Sequence, residues 1–177
     1  MKKIFLTAFM AVCAMTANAQ VWMGGAVGFD VTDYDGADKN EFTFRLAPEV
    51  GYSLNEKWDI AAALGISTIK NESGIKDANG TSFTINPYAR YTFAKAGIAS
   101  FFVDGGFGYG IYHPKHGDNT NNFYIGVRPG VKVALSEKVC LVSHLGYLGY
   151  QWIEDHSNSF GLGVDNNTID FGLYWSF

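Results

Sequence analysis

The residues able to do chemistry in this 177-residue chain fall into a few small groups. Ser143-His144 and His156-Ser157 each set a hydroxyl beside an imidazole, and Glu154 and Asp155 adjoin the second pair. These are the types a nucleophilic site would use: a hydroxyl, its base and an orienting carboxylate. Adjacent residues on an extended chain point to opposite sides, however, so neither pair makes a triad. No catalytic residue is expected. Asp30, Asp33, Asp35 and Asp38 could gather calcium, but they miss the spacing of the helix-flanked loop and read as a solvated acidic loop. His113 and His116 fit an exposed loop better than a metal site. Gly105-Gly-Phe-Gly-Tyr-Gly110 has the glycines of a phosphate loop without its spacing or following helix. It reads as a strand whose inward glycines make room. No metal or cofactor site is expected.

The elements that must position these residues are strands. In Asn167–Phe177, Ile169, Phe171, Leu173, Trp175 and Phe177 share one parity, and Thr168, Asp170, Gly172, Tyr174 and Ser176 share the other. Alternation of this kind marks a strand with one oily face and one small or polar face. Glu41–Leu54 repeats it: Phe42, Phe44, Leu46, Pro48, Val50, Tyr52 and Leu54 oppose Glu41, Thr43, Arg45, Ala47, Glu49, Gly51 and Ser53. That second face mixes charges with glycine and alanine, which suits a confined interior better than open water. Counting from Val21–Phe29, eight such strands are expected. Their connections alternate between long ones at 31–40, 70–82, 113–122 and 153–166 and tight ones at 55–57, 94–97 and 136–138. This rhythm predicts an all-β fold, an eight-stranded antiparallel up-and-down transmembrane β-barrel.

Composition agrees. Aromatic residues make up 16% of the chain and glycine supplies 21 residues, while no stretch beyond the leader is long and apolar enough for a membrane helix. Met1–Ala19 reads as a cleaved signal peptide: Lys2 and Lys3, an apolar run, then Ala17-Asn18-Ala19. The barrel domain is then 20–177. Without Lys2 and Lys3 there are 11 basic and 17 acidic residues, a net charge of about −6, which argues against a nucleic-acid partner. Cys140 is then the sole cysteine, expected as a small filler in the sheet.

Pro48, Pro87 and Pro129 recur about six residues before each tight turn, and Leu54-Asn-Glu-Lys-Trp58 matches Leu135-Ser-Glu-Lys-Val139. Leu64-Gly65 matches Leu145-Gly146 in the same phase. Each unit is one hairpin, and the prolines are expected at bends or bulges. With its leader, eight alternating strands, proline-bearing hairpins and terminal Phe177, the chain resembles the outer-membrane β-barrel domain family, the small eight-stranded porin-like barrels of the OmpX and OmpA type in Gram-negative bacteria. The resemblance implies insertion in the cell outer membrane with both termini periplasmic. It also implies partners in outer-membrane lipids and lipopolysaccharide, and in the barrel-assembly machinery during biogenesis. A monomer with extracellular ligand contacts confined to its long loops is expected. Members include structural, adhesive and enzymatic proteins, so the expected role is structural or surface-interactive. A narrow solute or ion pore and a lipid-modifying enzyme are the alternatives.

A barrel of eight strands has an interior just wide enough for its own side chains. Pairing Leu54 with Trp58 places Arg45 opposite Ser67 and Glu49 opposite Ala63; the matching turn places Arg128 opposite Gly146 and His144 opposite Gly130. Large faces small throughout. The inward set carries Arg45, Arg90, Arg128 and Lys132 against Glu49, Asp59, Asp104 and Asp170, together with Tyr88, Phe102, Tyr124, Tyr150 and Tyr174. Paired charges and aromatics of this kind predict a plugged lumen.

Overall fold

A computed structural model describes residues 21–32, 41–71, 79–154, 157–163 and 170–177. The signal-peptide stretch, Asp33, Asp35, Asp38, Asp155 and His156 lie outside these residues. The strands are β1 (Val21–Thr32), β2 (Glu41–Ser53), β3 (Trp58–Asn71), β4 (Gly80–Ala96), β5 (Ala99–Pro114), β6 (Thr120–Ala134), β7 (Val139–His144), β8 (Tyr147–Ile153), β9 (Ser157–Gly163) and β10 (Asp170–Ser176). All neighbours run antiparallel. The ring closes because β5 pairs with β6 and β10 pairs with both β7 and β1. It is an eight-stranded closed barrel whose last two strands are each broken, β7 continuing as β8 and β10 continued by β9. Val21 and Phe177, the first and last described residues, meet at one rim, where the Phe177 N–H donates to the Val21 carbonyl at 3.1 Å.

Two of the tight turns share one design. The Leu54 N–H donates to the Trp58 carbonyl (2.8 Å), and the Leu135 N–H donates to the Val139 carbonyl (2.9 Å). Inside them the Asn55 side chain accepts from the Lys57 and Trp58 N–H groups, and Ser136 Oγ accepts from Lys138 and Val139. Asn and Ser are interchangeable here because each can bond its own backbone two or three residues on. The remaining tight turn is Gly97-Ile98, shorter than the expected 94–97. Gly97 has φ +59, the left-handed conformation that a two-residue hairpin demands.

The register follows the expected phase through β6, apart from a bulge at Phe93 near the Gly97-Ile98 turn, where the β4–β5 pairing shifts between Thr92 and Ala94. Arg45 pairs with Ser67, Glu49 with Ala63 and Gly130 with His144. The prolines stand where a ladder lapses. The β2–β3 pairing skips Ala47-Pro48, and the β4–β5 pairing skips Asn86-Pro87, each resuming in the same register. At Pro129 the lapse becomes a bulge: Gly130 faces His144, but Val127 faces Leu148, a slip of one residue across Leu145-Gly146. The expected Arg128–Gly146 pair therefore does not form. Beyond it the parity flips, so Leu148, Tyr150 and Trp152 turn outward. Tyr150, expected inside, faces out opposite Ile125 and Phe160.

Strands also reach into all four of the expected long connections. β1 runs on to Thr32, β3 to Asn71 with β4 starting at Gly80, and β5 to Pro114 with β6 starting at Thr120, while residues 157–163, expected as loop, form β9. There Phe160 and Leu162 turn outward while Gly161 and Gly163 accept the Tyr147 ring from inside.

The outward face is an apolar belt. Leu46, Val50, Leu64, Phe83, Ile85, Phe107, Ile125 and Leu173 are all exposed. Trp58 packs on Tyr91 (centroids 4.7 Å apart) beside the tight-turn rim, in the manner of an aromatic girdle. The core lies inside the ring, where Trp22, Tyr88, Phe102, Val142 and Tyr174 are buried with Cys140 packed against them. Arg at position 50 should cost about 2–4 kcal/mol in vesicle unfolding titrations. Arg at 148 should cost a comparable amount only if the bulge turns Leu148 to lipid. A tolerated Leu148→Arg beside a destabilised Val50→Arg would refute the slip.

Candidate functional site

The densest polar chemistry lies in the lumen on one rung of the sheet. Asp59 on β3 pairs with Arg90 on β4, Arg90 with Asp104 on β5, and Asp104 with Arg128 on β6. Acid and base alternate across four strands. Cross-strand neighbours sit about 4.5–5.5 Å apart at Cβ, within reach of such side chains. Arg90 and Asp104 close the geometry: Nε donates to Oδ1 at 2.7 Å and Nη2 to Oδ2 at 2.8 Å. This two-point fork is the strongest form of carboxylate recognition. His144 Nε2 approaches Asp104 Oδ2 at 2.8 Å from β7, the second strand over, past Gly130 of β6. A carboxylate held by Arg90 only accepts, so His144 presents its Nε2–H to it.

Aromatic rings wrap this knot. The Arg90 guanidinium carbon lies 3.9 Å from the Phe102 ring centre and 5.6–5.9 Å from those of Tyr88, Trp22 and Tyr174. Such stacking replaces part of the hydration that a buried cation loses. Phe102 in turn meets His144 edge-on at 5.6 Å. The Tyr88 and Tyr174 hydroxyls both donate to Glu49 Oε2, at 2.6 and 2.9 Å. Ring planes and hydroxyls thus tie β2, β4, β5, β7 and β10 together through the centre. Arg90, Asp104 and Phe102 are each no more than 2% exposed.

Glycines on facing strands accommodate the rings. A Cβ on Gly51 would strike Trp22, one on Gly130 would strike Phe102, one on Gly106 would strike Tyr88, and one on Gly24 would strike Tyr174. The Gly105–Gly110 stretch is strand, as read, with Gly106, Gly108 and Gly110 facing inward.

On the long-connection side of Arg90 the lumen widens into a cavity of about 310 Å³, bordered by Asn86, Asp104, Tyr124, Arg128, His144 and Tyr147. Arg128 is half-buried there, its guanidinium 6.0 Å from the Tyr88 ring.

Among the described side chains the inward charges share partners: Asp104 takes Arg90 and His144 together, and Glu49 takes two tyrosine hydroxyls. Asp170 stands opposite His144 in the ladder; its side chain lies outside the described residues. Trp22 and Val142, which sequence reasoning left out, belong to the core. The signal for Trp22 was available, since Met23, Val27 and Phe29 on the outward parity leave Trp22 inside.

The nucleophile candidates stay apart. Ser143 Oγ lies 3.5 Å from the His144 carbonyl oxygen, while the His144 ring enters the lumen. Glu154 accepts from the backbone and side-chain N–H groups of Asn121. His113 Nδ1 lies 2.8 Å from Asn119 Oδ1, and His116 is exposed in the turn beyond.

A closed antiparallel ring, apolar outside and packed with hydrogen-bonded polar groups inside, defines a transmembrane β-barrel. The chain matches the sequence profile of the outer membrane protein beta-barrel domain over residues 4–177, and it belongs to that family. Among solved structures it is similar to Neisserial surface protein A (NspA), with 15% identity and a TM-score of 0.59 over 90% of this chain and 98% of that one. It is also similar to Ail of Yersinia pestis, with 13% identity and a TM-score of 0.46 over 89% and 99%. Comparison with curated proteins returns no match.

Removing Asp104 leaves Arg90 in its aromatic cage without a counter-charge. Asp104→Ala should cost about 3–5 kcal/mol in unfolding titrations. Glu49→Ala, which strands two tyrosine hydroxyls beside a half-buried site, should cost less, about 1–3 kcal/mol. Equal stability of Asp104→Ala and wild type would show that water already solvates Arg90.

Proposed function

We propose that this chain is a plugged outer-membrane barrel with a structural or surface-interaction role and no enzymatic activity. The observation that carries the reading is the packed lumen: Arg90, Asp104 and His144 locked together inside Trp22, Tyr88, Phe102 and Tyr174. A continuous aqueous path would have to pull the Arg90 fork apart and strand a charge. The absence of an enzymatic role is supported by the Ser143–His144 geometry, in which hydroxyl and ring serve different partners.

On this reading residues 1–19 direct export, both termini lie in the periplasm, and the long connections face outward. The working partners are outer-membrane lipids and lipopolysaccharide, with the assembly machinery acting during insertion. The protein acts as a monomer, and any extracellular ligand meets the long connections.

A gated ion or solute path is the second reading, favoured by the cavity of about 310 Å³ beside Arg128 and Tyr147. It leads toward the long-connection rim and stops at the knot. In planar bilayers wild type should show no steady conductance, and Asp104→Ala at most brief openings. A stable, large wild-type conductance would put the pore first. Unchanged lipid A mass spectra in a deletion strain are expected; a missing modification would restore the enzyme.

A further inference from the structure

At the long-connection end, the outward parity of β3, β4 and β5 changes character over three successive rungs. The first is apolar: Ile66, Phe83 and Ile111 stand side by side. On the next, Thr68 pairs with Thr81 and Thr81 with His113, the two threonine hydroxyls 3.3 Å apart. Beyond them the Lys115 N–H donates to the Asn79 carbonyl at 2.7 Å, and the same register brings Lys70 alongside. These six polar residues border an outward recess of about 440 Å³. Among the described residues its charged lining is cationic, in a chain whose formal charge is −4. Lys70, His113 and Lys115 are exposed, and the His113 ring rests edge-on against Phe83 (centroids 6.0 Å apart), the outermost outward-facing aromatic of β4.

We infer that this recess binds the phosphate of a lipid headgroup in the surrounding leaflet. The height fits, because on β3, β4 and β5 the recess lies one rung beyond outward-facing Ile66, Phe83 and Ile111, and on β2 it is flanked by exposed Phe44 and Phe42, opposite Thr68 and Lys70, so an acyl chain has apolar surface directly beside the cations. The chemistry fits as well. Two ammonium groups supply charge and up to six donors, the threonine hydroxyls add neutral donors, and the dianionic oxygens of a phosphate monoester accept them. Basic residues beside an anionic membrane surface each contribute on the order of 1 kcal/mol, and a recess holding several is selective for headgroup phosphate. The lipid's own tail, lying along Phe83 and Ile66, holds the headgroup at the site. A soluble anion lacks that second hold. The assignment rests on the proposed membrane-embedded state and on nothing in the lumen.

The test uses the full barrel, refolded in detergent, with native mass spectrometry counting bound lipid. Probes are lipid A bearing both phosphates, its monophosphoryl form, and inorganic phosphate. Lys70→Gln combined with Lys115→Gln should weaken lipid A binding by about tenfold, equivalent to ~1.4 kcal/mol. Lys57→Gln with Lys138→Gln, the same charge change at the opposite rim, should leave it unaltered. Monophosphoryl lipid should bind wild type more weakly than the bis-phosphorylated form. Equal binding by wild type and the Lys70/Lys115 variant would overturn the site. Displacement of lipid by millimolar inorganic phosphate would overturn the lipid assignment in favour of a soluble anion. Heat-modifiable gel migration of every variant reports whether the barrel is intact, so loss of the fold registers separately from loss of the recess.

Discussion

A guanidinium in the middle of an eight-stranded ring sets the terms for everything around it. Arg90 cannot reach bulk water from its position, and an uncompensated buried charge costs several kcal/mol. It is therefore met by Asp104 on the neighbouring strand, by His144 acting on that carboxylate from two strands beyond it, and by four aromatic faces. Each partner comes from a strand whose register is fixed by the sheet. A slip of one residue in β4 would turn Arg90 into the apolar exterior. The ion pair thus acts as a register lock, binding the phase of the ladder to the chemistry of the interior.

The glycine distribution follows from the same constraint. Eight strands enclose too little space for large residues on both sides of a rung, so each ring requires a vacancy opposite or beside it. Gly51 under Trp22, Gly130 under Phe102 and Gly106 under Tyr88 are those vacancies. Outside, the demand reverses: lipid neither hydrates backbone nor requires a fit, so the belt is built of whatever is large and apolar. One alternation of period two therefore carries two different rules on its two parities.

That alternation is why so much was legible beforehand. With a turn as anchor, parity and pairing follow by counting, and Arg45–Ser67, Glu49–Ala63 and Gly130–His144 are each reached that way. Counting fails where the chain inserts a residue. Leu145-Gly146 repeats Leu64-Gly65, yet Gly65 stays in register opposite Thr84 while Gly146 marks a bulge. Two similar dipeptides in equivalent hairpins behave differently because the prolines opposite them relax the ladder without dictating whether it resumes in phase. Tyr150 inherits that error. The short β9 was missed for another reason: Phe160 and Leu162 are its only apolar residues, too few to stand out among serine, asparagine and glycine. The composition of the knot was visible as a charge count, but which acid takes which base depends on angles between strands that no spacing encodes.

Separation of inside from outside also limits where activity can reside. The lumen is occupied by groups that satisfy one another, and the belt offers lipid a surface with few hydrogen-bonding groups. What remains free is the rim, where strands extend past the apolar belt. β4 and β5 span 17 and 16 residues, against the 9–11 that a tilted strand needs to cross a bilayer. The surplus is not required for insertion. It keeps polar rungs such as Thr68–Thr81–His113 in a hydrogen-bonded sheet beyond the apolar rung of Ile66, Phe83 and Ile111, so their side chains are held by the barrel and not by a loop. In the role proposed above, a barrel that gives up its lumen to its own stability is left those rungs and the connections above them for recognition.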